Sequence, residues 1–343
     1  MGQAHSLCIV SGQGSSFHSV LSAVPGAAAC PGGTAPYTCR MAQVTTVLIP
    51  RRSASLKLRA YVALTKPRII ELLLVTTLPT MVVAAKGLPD WWLIVATLLG
   101  GALSAAGANA ANMFVDRDID AVMHRTRNRP LVTGAVSPAA ALVFSVTLEV
   151  AAFVLFWRAV NLFSALLALG AALFYVFVYS IGLKRRSTQN IVIGGAAGAV
   201  PVLVAWTAVT DRLAWPAIVL FAMIVIWTPS HFWALALKYK DDYKAAHVPM
   251  LPAVVPFERV SRQIILYSLA LVATSVVFGV VDHSGWVYWA AAAVAGTLYL
   301  ADALRLRRDE GTPKSAMRLF SFSITYITVV FAAMAVDVII RYR

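Results

Sequence analysis

The sequence predicts an all-α protein, a polytopic membrane bundle of nine transmembrane helices. Hydrophobic residues make up 59% of the 343 residues, charged residues make up only 13%, and the mean hydropathy is +0.75. A chain of this length is too apolar to be an ordinary soluble protein. Nine apolar runs are long enough, or nearly so, to cross about 30 Å of hydrocarbon. The segments that join these runs alternate between basic and nearly uncharged.

Each apolar run predicts one membrane-spanning helix. The runs cover residues 69–86, 91–114, 138–157, 161–182, 190–209, 215–237, 263–281, 286–305 and 317–340. Of the 29 lysines and arginines, 24 lie before the first run or in the connections after the second, fourth, sixth and eighth runs. Basic residues accumulate on the cytoplasmic side of membrane proteins, so the N-terminus is expected in the cytoplasm and the C-terminus outside. The same asymmetry explains the net charge of +14 without a nucleic-acid partner.

Residues 1–56 form a segment of different composition, rich in Gly, Ser, Ala and Pro and without acidic residues. It shows no sustained helical period, so we predict a disordered N-terminal extension, followed by a membrane domain over residues 57–343. A myristoylation signal at Gly2 and a transit peptide are alternatives. A further alternative places the working start at Met41. All three cysteines lie in the first 40 residues, so the membrane domain is predicted to contain no disulfide.

The connection after the second run carries the densest charge of the chain. Residues 112–131, NMFVDRDIDAVMHRTRNRPL, contain three aspartates, four arginines and a histidine. Asn112, Asp116 and Asp120 are spaced at i, i+4 and i+8, so a continuing helix would present them on one face. An amide and two carboxylates suit Mg²⁺ shared with substrate phosphates, and the arginines would neutralise a diphosphate. The alternative is a solvated loop whose aspartates pair with its own arginines, which is the interpretation favoured for Arg117 and Asp118.

A second charged cluster follows the sixth run, in residues 227–252, WTPSHFWALALKYKDDYKAAHVPMLP. Pro229 is expected to kink or open the helix. His231 would lie at membrane depth, where an ionisable residue indicates either a functional site or a hydrogen bond between helices. Lys238, Asp241 and Asp242 repeat the combination of carboxylates and cations. The two clusters fall on the same side of the membrane, so they are predicted to hold a diphosphate between them through Mg²⁺.

Other runs contribute further polar side chains at the same side. The candidates for substrate binding are Lys66 and Arg68 at the start of the first run, and Tyr179 and Lys184 at the end of the fourth. For the basic residues, the bias toward positive charge in the cytoplasm is an alternative explanation. The small residues of the fifth run, Gly194, Gly195 and Gly198 among them, permit close approach between helices.

Four blocks of the chain carry a resemblance to a known family. They are LTKPRIIELLLVTTLPTM from Leu64, NMFVDRDIDAVMHRTRNRPL from Asn112, LKRRSTQNIVIGGAAGAVP from Leu183, and WTPSHFWALALKYKDDY from Trp227 with PMLP from Pro249. From about Tyr61 to the end of the ninth run, the chain resembles the haem-directed branch, the protohaem IX farnesyltransferases or haem O synthases, of the UbiA-type intramembrane prenyltransferases. The Asn-x3-Asp-x3-Asp motif is typical of the superfamily, and the TKPRII, RTRNRP and HFWALA blocks are typical of the haem branch.

The resemblance implies nine helices around a central cavity and transfer of the farnesyl group of farnesyl diphosphate to a vinyl group of haem B, with release of diphosphate. It implies that Asn112, Asp116 and Asp120 hold Mg²⁺ and the diphosphate, with a contribution from Asp242 and Asp241. Lys238 stands where quinone-directed relatives usually carry another aspartate, so we expect it to contact phosphate directly. We assign Arg125 and Arg129 to phosphate or haem propionate contacts, and His231 to the haem iron or the porphyrin.

The expected partners are haem B, farnesyl diphosphate, the lipid bilayer, and a downstream haem-modifying enzyme or terminal oxidase assembly. The expected location is a bacterial plasma membrane, or the mitochondrial inner membrane in a eukaryote, with the site on the cytoplasmic face. Two alternatives remain at this point. One is a prenyltransferase for a quinone-precursor or chlorophyll-type acceptor, and the other is a transporter of an anionic lipid or metabolite, although a transporter would carry its polar residues near mid-membrane.

Overall fold

The structure, a computed structural model, describes residues 54–342, all of which belong to one unit of the chain, Arg51–Arg343. All regular elements in this part are helical. They are α1 (Ala54–Thr65), α2 (Pro67–Ala85), α3 (Trp91–Val115), α4 (Arg117–Val122), α5 (Pro138–Ala159), α6 (Leu162–Leu173, continued by a π-helical segment, Phe174–Leu183), α7 (Asn190–Thr210), α8 (Trp215–Lys238), α9 (Lys240–Ala245), α10 (Leu251–Val254), α11 (Phe257–Val281), α12 (Trp286–Arg308) and α13 (Pro313–Arg341).

Eight of the described helices are long and apolar enough to cross a membrane: α3, α5, α6 with its π-helical continuation, α7, α8, α11, α12 and α13. The apolar part of α2 is shorter and covers Leu73–Ala85. The all-helical fold class and a multi-pass membrane bundle are thereby confirmed. The predicted runs coincide with these helices, except that α11 begins at Phe257 and not at residue 263, and α13 begins at Pro313 and not at residue 317. The extra turns contain charged residues, which an apolar pattern does not detect.

The predicted N-terminal extension is described only at its end. There, α1 begins at Ala54, so residues 54–56 are helical rather than disordered. Leu64 and Ala60 of α1 are buried in a small apolar cluster with Ala110 and Met113 of α3. The rest of the extension, including Met41 and the cysteines, lies outside the described residues.

The helices pack into a bundle in which α7 and α8 connect two groups. In the first group, α3 packs against α5, α5 against α6, and α6 against α7. In the second group, α8 packs against α11 and α13, and α12 packs against α11 and α13, while α2 lies between α7 and α13. Hydroxyl groups join helices of the second group: Ser230 with Tyr299 at 2.8 Å, and Ser275 with Tyr326 at 2.6 Å. Such bonds stabilise helix pairs in an apolar medium.

Pro229 does not end α8. The helix runs from Trp215 to Lys238 with the proline inside it, which is compatible with a local adjustment and not with a break. The neighbouring hydroxyls donate to carbonyls of the same helix, from Thr228 to Ile224 at 2.8 Å and from Ser230 to Trp227 at 3.1 Å.

Three side-chain contacts place the connections with charged clusters at one end of the bundle. They join Lys66 to Asn112, Lys184 to Asp116, and Arg125 to Asp242. The connections before α2, after α3, after α6 and after α8 therefore meet at this end. This placement agrees with the prediction that the charged connections lie on one side of the membrane.

The opposite end is closed by Arg341 and Asp337 of α13. The carboxylate of Asp337 accepts a hydrogen bond from the backbone N–H of Gly285 at 2.7 Å, and it forms an ion pair with Arg341 at 2.8 Å. Arg341 also pairs with Asp282 at 2.7 Å. This network joins the end of α13 to the connection between α11 and α12. Asp337 is 2% exposed, so loss of its charge would leave buried donors without a partner.

We expect Asp337→Asn to lower the free energy of unfolding by about 2 kcal/mol, because a hydrogen bond to a charged group contributes roughly 1.5–3 kcal/mol. Thermal unfolding in detergent, followed by circular dichroism, measures the change. Asp211→Asn is the matched control, since Asp211 is an exposed aspartate at the C-terminal end of α7. Equal changes for the two variants would contradict the structural role of Asp337.

Candidate functional site

Asn112, Asp116 and Asp120 lie on one face, as predicted, although the helix that carries them is interrupted at Asp116. Helix α3 ends at Val115, and Asp116 separates it from α4 with φ −89° and ψ 4°. The backbone bonds still follow helical spacing, from Asp116 N to the Asn112 carbonyl at 2.9 Å and from Asp120 N to the Asp116 carbonyl at 2.8 Å. All three side chains are buried, with exposures of 3%, 0% and 2%.

Asn112 is the centre of a hydrogen-bonded cluster. Its Nδ2 donates to Asp116 Oδ2 at 2.9 Å, and its Oδ1 accepts from Lys66 Nζ at 2.6 Å. The second hydrogen of Nδ2 is donated to Ser180 Oγ at 2.8 Å. The amide therefore joins α3 to the junction before α2 and to the π-helical segment.

Both buried carboxylates of this face are paired with cations. Lys184 Nζ contacts Asp116 Oδ2 at 2.5 Å, and Arg129 Nη1 contacts Asp120 Oδ2 at 2.6 Å. Together with Lys66, three cations surround two carboxylates. A buried charge is costly unless it is paired, and when Lys66 is protonated the cations exceed the carboxylates by one. The cluster therefore favours an anion as its ligand.

Lys66 reaches the cluster from an unusual backbone position. It has φ 53° and ψ 64°, in the left-handed region, and it precedes Pro67 at the start of α2. This conformation is uncommon for a residue other than glycine, and it turns the chain between α1 and α2. Removal from water, and then the nearby charges of Arg129 and Lys184, lower the pKa of Lys66 to about 7.

Asp118 and Arg117 point away from this face. Asp118 is 61% exposed and forms two hydrogen bonds with the guanidinium of Arg185, at 2.6 and 2.7 Å. These bonds lower the pKa of Asp118 to about 2. Arg117 donates to the Phe114 carbonyl at 2.9 Å. Asp118 thus pairs with an arginine of the connection after the π-helical segment, and not with one of its own loop.

The second cluster approaches the first through Asp242. Its Oδ2 accepts from the backbone N–H of Arg125 at 3.3 Å. Lys238 and the guanidinium of Arg125 both lie over the ring of Tyr239, at 5.5 and 5.6 Å from its centroid. Asp241, Lys238, Arg125 and Arg68 are exposed. Within residues 54–342, none of these exposed side chains forms a hydrogen bond or an ion pair with Asn112, Asp116 or Asp120.

The predicted metal ligands do not form a preorganised cage. Among residues 54–342, no group of three or more His, Cys, Asp or Glu side chains is placed to hold a metal ion. Nevertheless, Asp116 Oδ1 is buried and has no hydrogen-bond partner within the described residues. This carboxylate oxygen belongs to the same face as the Asn112 amide, and hard oxygen donors of this kind suit Mg²⁺ with phosphate ligands. The residues therefore fit a magnesium ion that arrives with its substrate.

Tyr179 lies in the π-helical segment, and its ring packs against α7. It is buried and stacks on Tyr175 with ring centroids 5.4 Å apart. A Cβ atom on Gly194 would lie 2.2 Å from Cδ2 of Tyr179, so only glycine permits this contact. A Cβ atom on Gly195 would likewise lie 2.9 Å from Cβ of Thr228, so the small residues of the fifth span permit close approach both to the π-helical segment and to α8.

His231 is enclosed between two helices. Its ring stacks on Trp227 at 4.2 Å and on Phe320 at 4.5 Å, and its Nδ1 hydrogen-bonds Ser323 Oγ of α13 at 2.5 Å. Both faces of the ring are covered, and the side chain is 7% exposed. His231 therefore forms a hydrogen bond between helices α8 and α13, which was the alternative to a functional site in the sequence analysis.

Sequence reasoning missed Ser180, Tyr175 and the π-helical segment that holds them. A π-helix has no period that a search for 3.6-residue amphipathicity detects. The available signal was a serine near the end of the fourth apolar run, four residues before Lys184. Asn190, the first residue of α7, also lies beside this segment: its Nδ2 donates to the Lys184 carbonyl at 3.3 Å, and its Oδ1 is buried without a partner in the described residues.

Comparison with known proteins shows the family of the chain. The model of the UbiA prenyltransferase family matches residues 73–325. The chain belongs to the UbiA prenyltransferase family. The protoheme IX farnesyltransferase of Renibacterium salmoninarum is 53% identical over 285 residues, which cover 82% of this chain and 90% of that protein. The protoheme IX farnesyltransferase of Streptomyces avermitilis is 49% identical over 296 residues, which cover 85% and 97%. The predicted resemblance to this branch of the UbiA family is confirmed.

Solved structures of the UbiA family share the fold at lower sequence identity. A digeranylgeranylglyceryl phosphate synthase structure has a TM-score of 0.68 and 18% identity, and the match covers 82% of this chain and 99% of that one. A UbiA homologue from Archaeoglobus fulgidus, bound to DMAPP and Mg²⁺, has a TM-score of 0.57 and 18% identity, with coverage of 80% and 99%. These likenesses support the helical membrane fold.

The contact between Gly194 and Tyr179 leads to a stability prediction. Gly194→Ala is expected to lower the free energy of unfolding by about 1–3 kcal/mol, the usual effect of overpacking. Gly198→Ala is the matched control on the same helix, because no atom lies within 4 Å of a Cβ at that position. Thermal unfolding in detergent measures both, and an unchanged Gly194→Ala variant would contradict the close packing.

Proposed function

We propose that this chain transfers the farnesyl group of farnesyl diphosphate to a vinyl group of haem B, giving haem O and diphosphate. The observation that carries the proposal is the buried face of Asn112, Asp116 and Asp120, which is surrounded by three cations at the end of a membrane bundle. The identity of about half of all aligned residues to proteins named protoheme IX farnesyltransferase supports the choice of donor and acceptor.

The charge of the site supports a diphosphate as the group that is bound. Lys66, Lys184 and Arg129 are the cations nearest the buried carboxylates. Arginine and lysine both recognise phosphate, arginine through two parallel hydrogen bonds and lysine as a compact charge. On binding, we expect the diphosphate to take over the contacts that Lys184 and Arg129 now make with Asp116 and Asp120, and the contact that Lys66 makes with Asn112 Oδ1.

We propose Mg²⁺ as the metal, held by Asn112, Asp116, Asp120 and Asp242. The free Oδ1 of Asp116 supports this assignment, as do the Mg²⁺ and prenyl diphosphates bound by the homologue from A. fulgidus. When bound, Mg²⁺ would stabilise the negative charge that develops on the departing diphosphate.

The remaining predicted residues are proposed to bind the substrates. Phosphate or haem propionate contacts are assigned to the basic residues, and the wall beside the site to Tyr179. The orientation of the porphyrin is assigned to His231, which would require the covering rings of Trp227 and Phe320 to move aside. The full set is Lys66, Arg68, Arg125, Arg129, Tyr179, Lys184, His231, Lys238 and Asp241. The exposed members, Arg68, Arg125, Lys238 and Asp241, would have to move toward the diphosphate when it binds.

In the proposed reaction, the allylic C–O bond of farnesyl diphosphate breaks and diphosphate leaves with the electron pair. Lys66, Lys184 and Arg129 stabilise that charge. A vinyl carbon of haem B then forms the new C–C bond, and water adds its oxygen to the resulting cation and loses a proton. Exclusion of water by the apolar bundle protects the allylic cation until the vinyl group attacks. No protein nucleophile is required.

We further propose a topology of nine spans around a central cavity. In this topology α2 crosses the membrane in addition to the eight longer helices. The position of 24 of the 29 lysines and arginines supports a cytoplasmic N-terminus and a site on the cytoplasmic face. We propose a bacterial plasma membrane as the location, since the similar proteins reported above come from bacteria. A downstream haem-modifying enzyme or terminal oxidase assembly is the proposed recipient of the product.

The proposal is tested with the purified protein, haem B, farnesyl diphosphate and Mg²⁺, followed by mass analysis of the haem. We expect the haem to gain one farnesyl group and one hydroxyl group, EDTA to abolish the gain, and excess Mg²⁺ to restore it. An aromatic quinone precursor in place of haem B is expected to yield no product. Prenylation of that precursor, with haem B unchanged, would overturn the choice of acceptor.

The same assay tests the buried face. We expect Asp116→Asn to lower kcat/KM by about 100-fold or more, since loss of one group that stabilises developing charge costs roughly 10²–10³. Asp118→Asn is the control, two residues away and exposed; it should stay within about fivefold, because an exposed ion pair contributes about 1 kcal/mol or less. Equal activity of the two variants would refute the role of Asp116.

Alkaline phosphatase fusions test the topology, because this enzyme is active only outside the cytoplasm. A fusion after Arg343 is expected to be active, and a fusion in the connection between α9 and α10 is expected to be inactive. The opposite pattern would reverse the orientation.

A further inference from the structure

The amide of Asn112 has one favourable orientation. Both hydrogens of Nδ2 are directed at acceptors, Asp116 Oδ2 at 2.9 Å and Ser180 Oγ at 2.8 Å, while Oδ1 accepts from Lys66 at 2.6 Å. A side-chain amide has two donor hydrogens on one atom and lone pairs only on the other. Rotation by 180° would place the amide oxygen against a carboxylate oxygen and the NH₂ group against an ammonium.

Ser180 accepts from Asn112 because its own proton is already committed. Its hydroxyl donates to the Tyr175 carbonyl at 2.9 Å, five residues earlier. In an α-helix, a serine hydroxyl bonds the carbonyl three or four residues earlier. The partner five residues earlier belongs to the wider turn of the π-helical segment, Phe174–Leu183. The π-helix thus sets the direction of the Ser180 hydroxyl.

The other acceptor of the Asn112 amide, Asp116 Oδ2, is expected to change its partners when the ligand binds. Asp116 Oδ2 also accepts from Lys184 at 2.5 Å, and under the proposed function both residues change partners when Mg²⁺ and diphosphate bind. Ser180 is fully buried and is tied to backbone, so its position does not depend on the ligand. Ser180 is therefore the acceptor that holds the Asn112 amide throughout the binding of the ligand.

We propose that Ser180 is a positioning residue that fixes the amide of Asn112, so that Oδ1 is presented to the Mg²⁺–diphosphate site. This inference rests on the proposed function. Ser180 acts through Asn112 and makes no contact with substrate. The π-helical segment makes this orientation possible. In an α-helix, the hydroxyl of a serine at this position would donate to a different carbonyl and would point in a different direction. Partners that orient metal ligands commonly contribute 10- to 100-fold to metal affinity or activity.

The test measures binding of Mn²⁺, as a probe for Mg²⁺, in the presence of inorganic diphosphate. Electron paramagnetic resonance of free Mn²⁺ reports the affinity without any turnover. Ser180→Ala is expected to weaken Mn²⁺ binding by about 10-fold or more, and Ser180→Thr, which keeps the hydroxyl, is expected to restore it. Thr80→Val is the control: it removes a buried hydroxyl that donates to the Thr76 carbonyl of its own helix, and binding should not change.

A structural effect of Ser180→Ala is separated from positioning by two further measurements. Positioning predicts that kcat for farnesyl transfer recovers at saturating Mg²⁺, whereas a misfolded site would not recover. Positioning also predicts that Ser180→Ala causes no additional loss in an Asn112→Asp background, because aspartate has no NH₂ group to orient. An additional 10-fold loss in that background, or unchanged Mn²⁺ binding in Ser180→Ala alone, would overturn the inference.

The outcomes distinguish this inference from the proposed function. If Ser180→Ala weakens Mn²⁺ binding but the wild-type protein leaves haem B unmodified, the farnesyl transfer is refuted and the positioning role stands. If wild-type protein makes haem O and Ser180→Ala binds Mn²⁺ normally, the positioning role is refuted and the function stands.

Discussion

The pairing of two buried carboxylates with cations from other parts of the chain is the constraint on which the site depends. Asp116 and Asp120 are 0% and 2% exposed, and an unpaired charge in such surroundings would cost several kcal/mol. Their partners, Lys184 and Arg129, come from the connection after the π-helical segment and from the connection after α4. The bundle can bury these aspartates because it also brings the two cations against them, so the packing of the helices and the formation of the ion pairs depend on each other.

Three departures from regular helical geometry occur around this cluster. Lys66 takes a left-handed conformation before a proline, Asp116 separates α3 from α4, and residues Phe174–Leu183 form a π-helix. Strained or irregular backbone tends to persist where the surrounding structure holds it and where function uses it. Each irregularity here places one member of the Asn112 hydrogen-bond network. The regular spans, in contrast, supply rigid and apolar walls.

Much of the fold was predictable from the sequence, because a bilayer imposes a simple requirement on length and composition. The apolar runs coincide with the observed helices, and the alternation of basic connections predicted that the charged clusters meet on one side. The exceptions follow from the same physics. Helices α11 and α13 begin in charged turns before their apolar runs, and a search for apolar residues does not detect such turns. The start of α1 at Ala54 was likewise invisible to an apolar pattern.

The site was predictable in its residue types but not in its pairing. The spacing of Asn112, Asp116 and Asp120 gave their common face, since only local helical geometry is involved. The exposure of Arg68, Lys238 and Asp241 could not be inferred, because burial depends on which connections cover the site. Nor could the enclosure of His231 between Trp227 and Phe320, which joins residues far apart in the chain.

The sequence by itself determined the membrane class of the protein, the approximate limits of its helices, and the carboxylate and amide face, because each of these follows from composition or from residues within a few turns of one another. Only the tertiary structure decided that Lys184 and Arg129 pair with the buried aspartates, that Lys66 donates to Asn112, and that Ser180 accepts from the Asn112 amide. Those contacts are mostly between residues distant in sequence. The direction in which the Ser180 hydroxyl donates its hydrogen bond is set by a π-helical turn. The physical reason is that helical periodicity depends only on residues near one another in the chain. Which cation neutralises a buried carboxylate depends instead on how the helices and their connections pack.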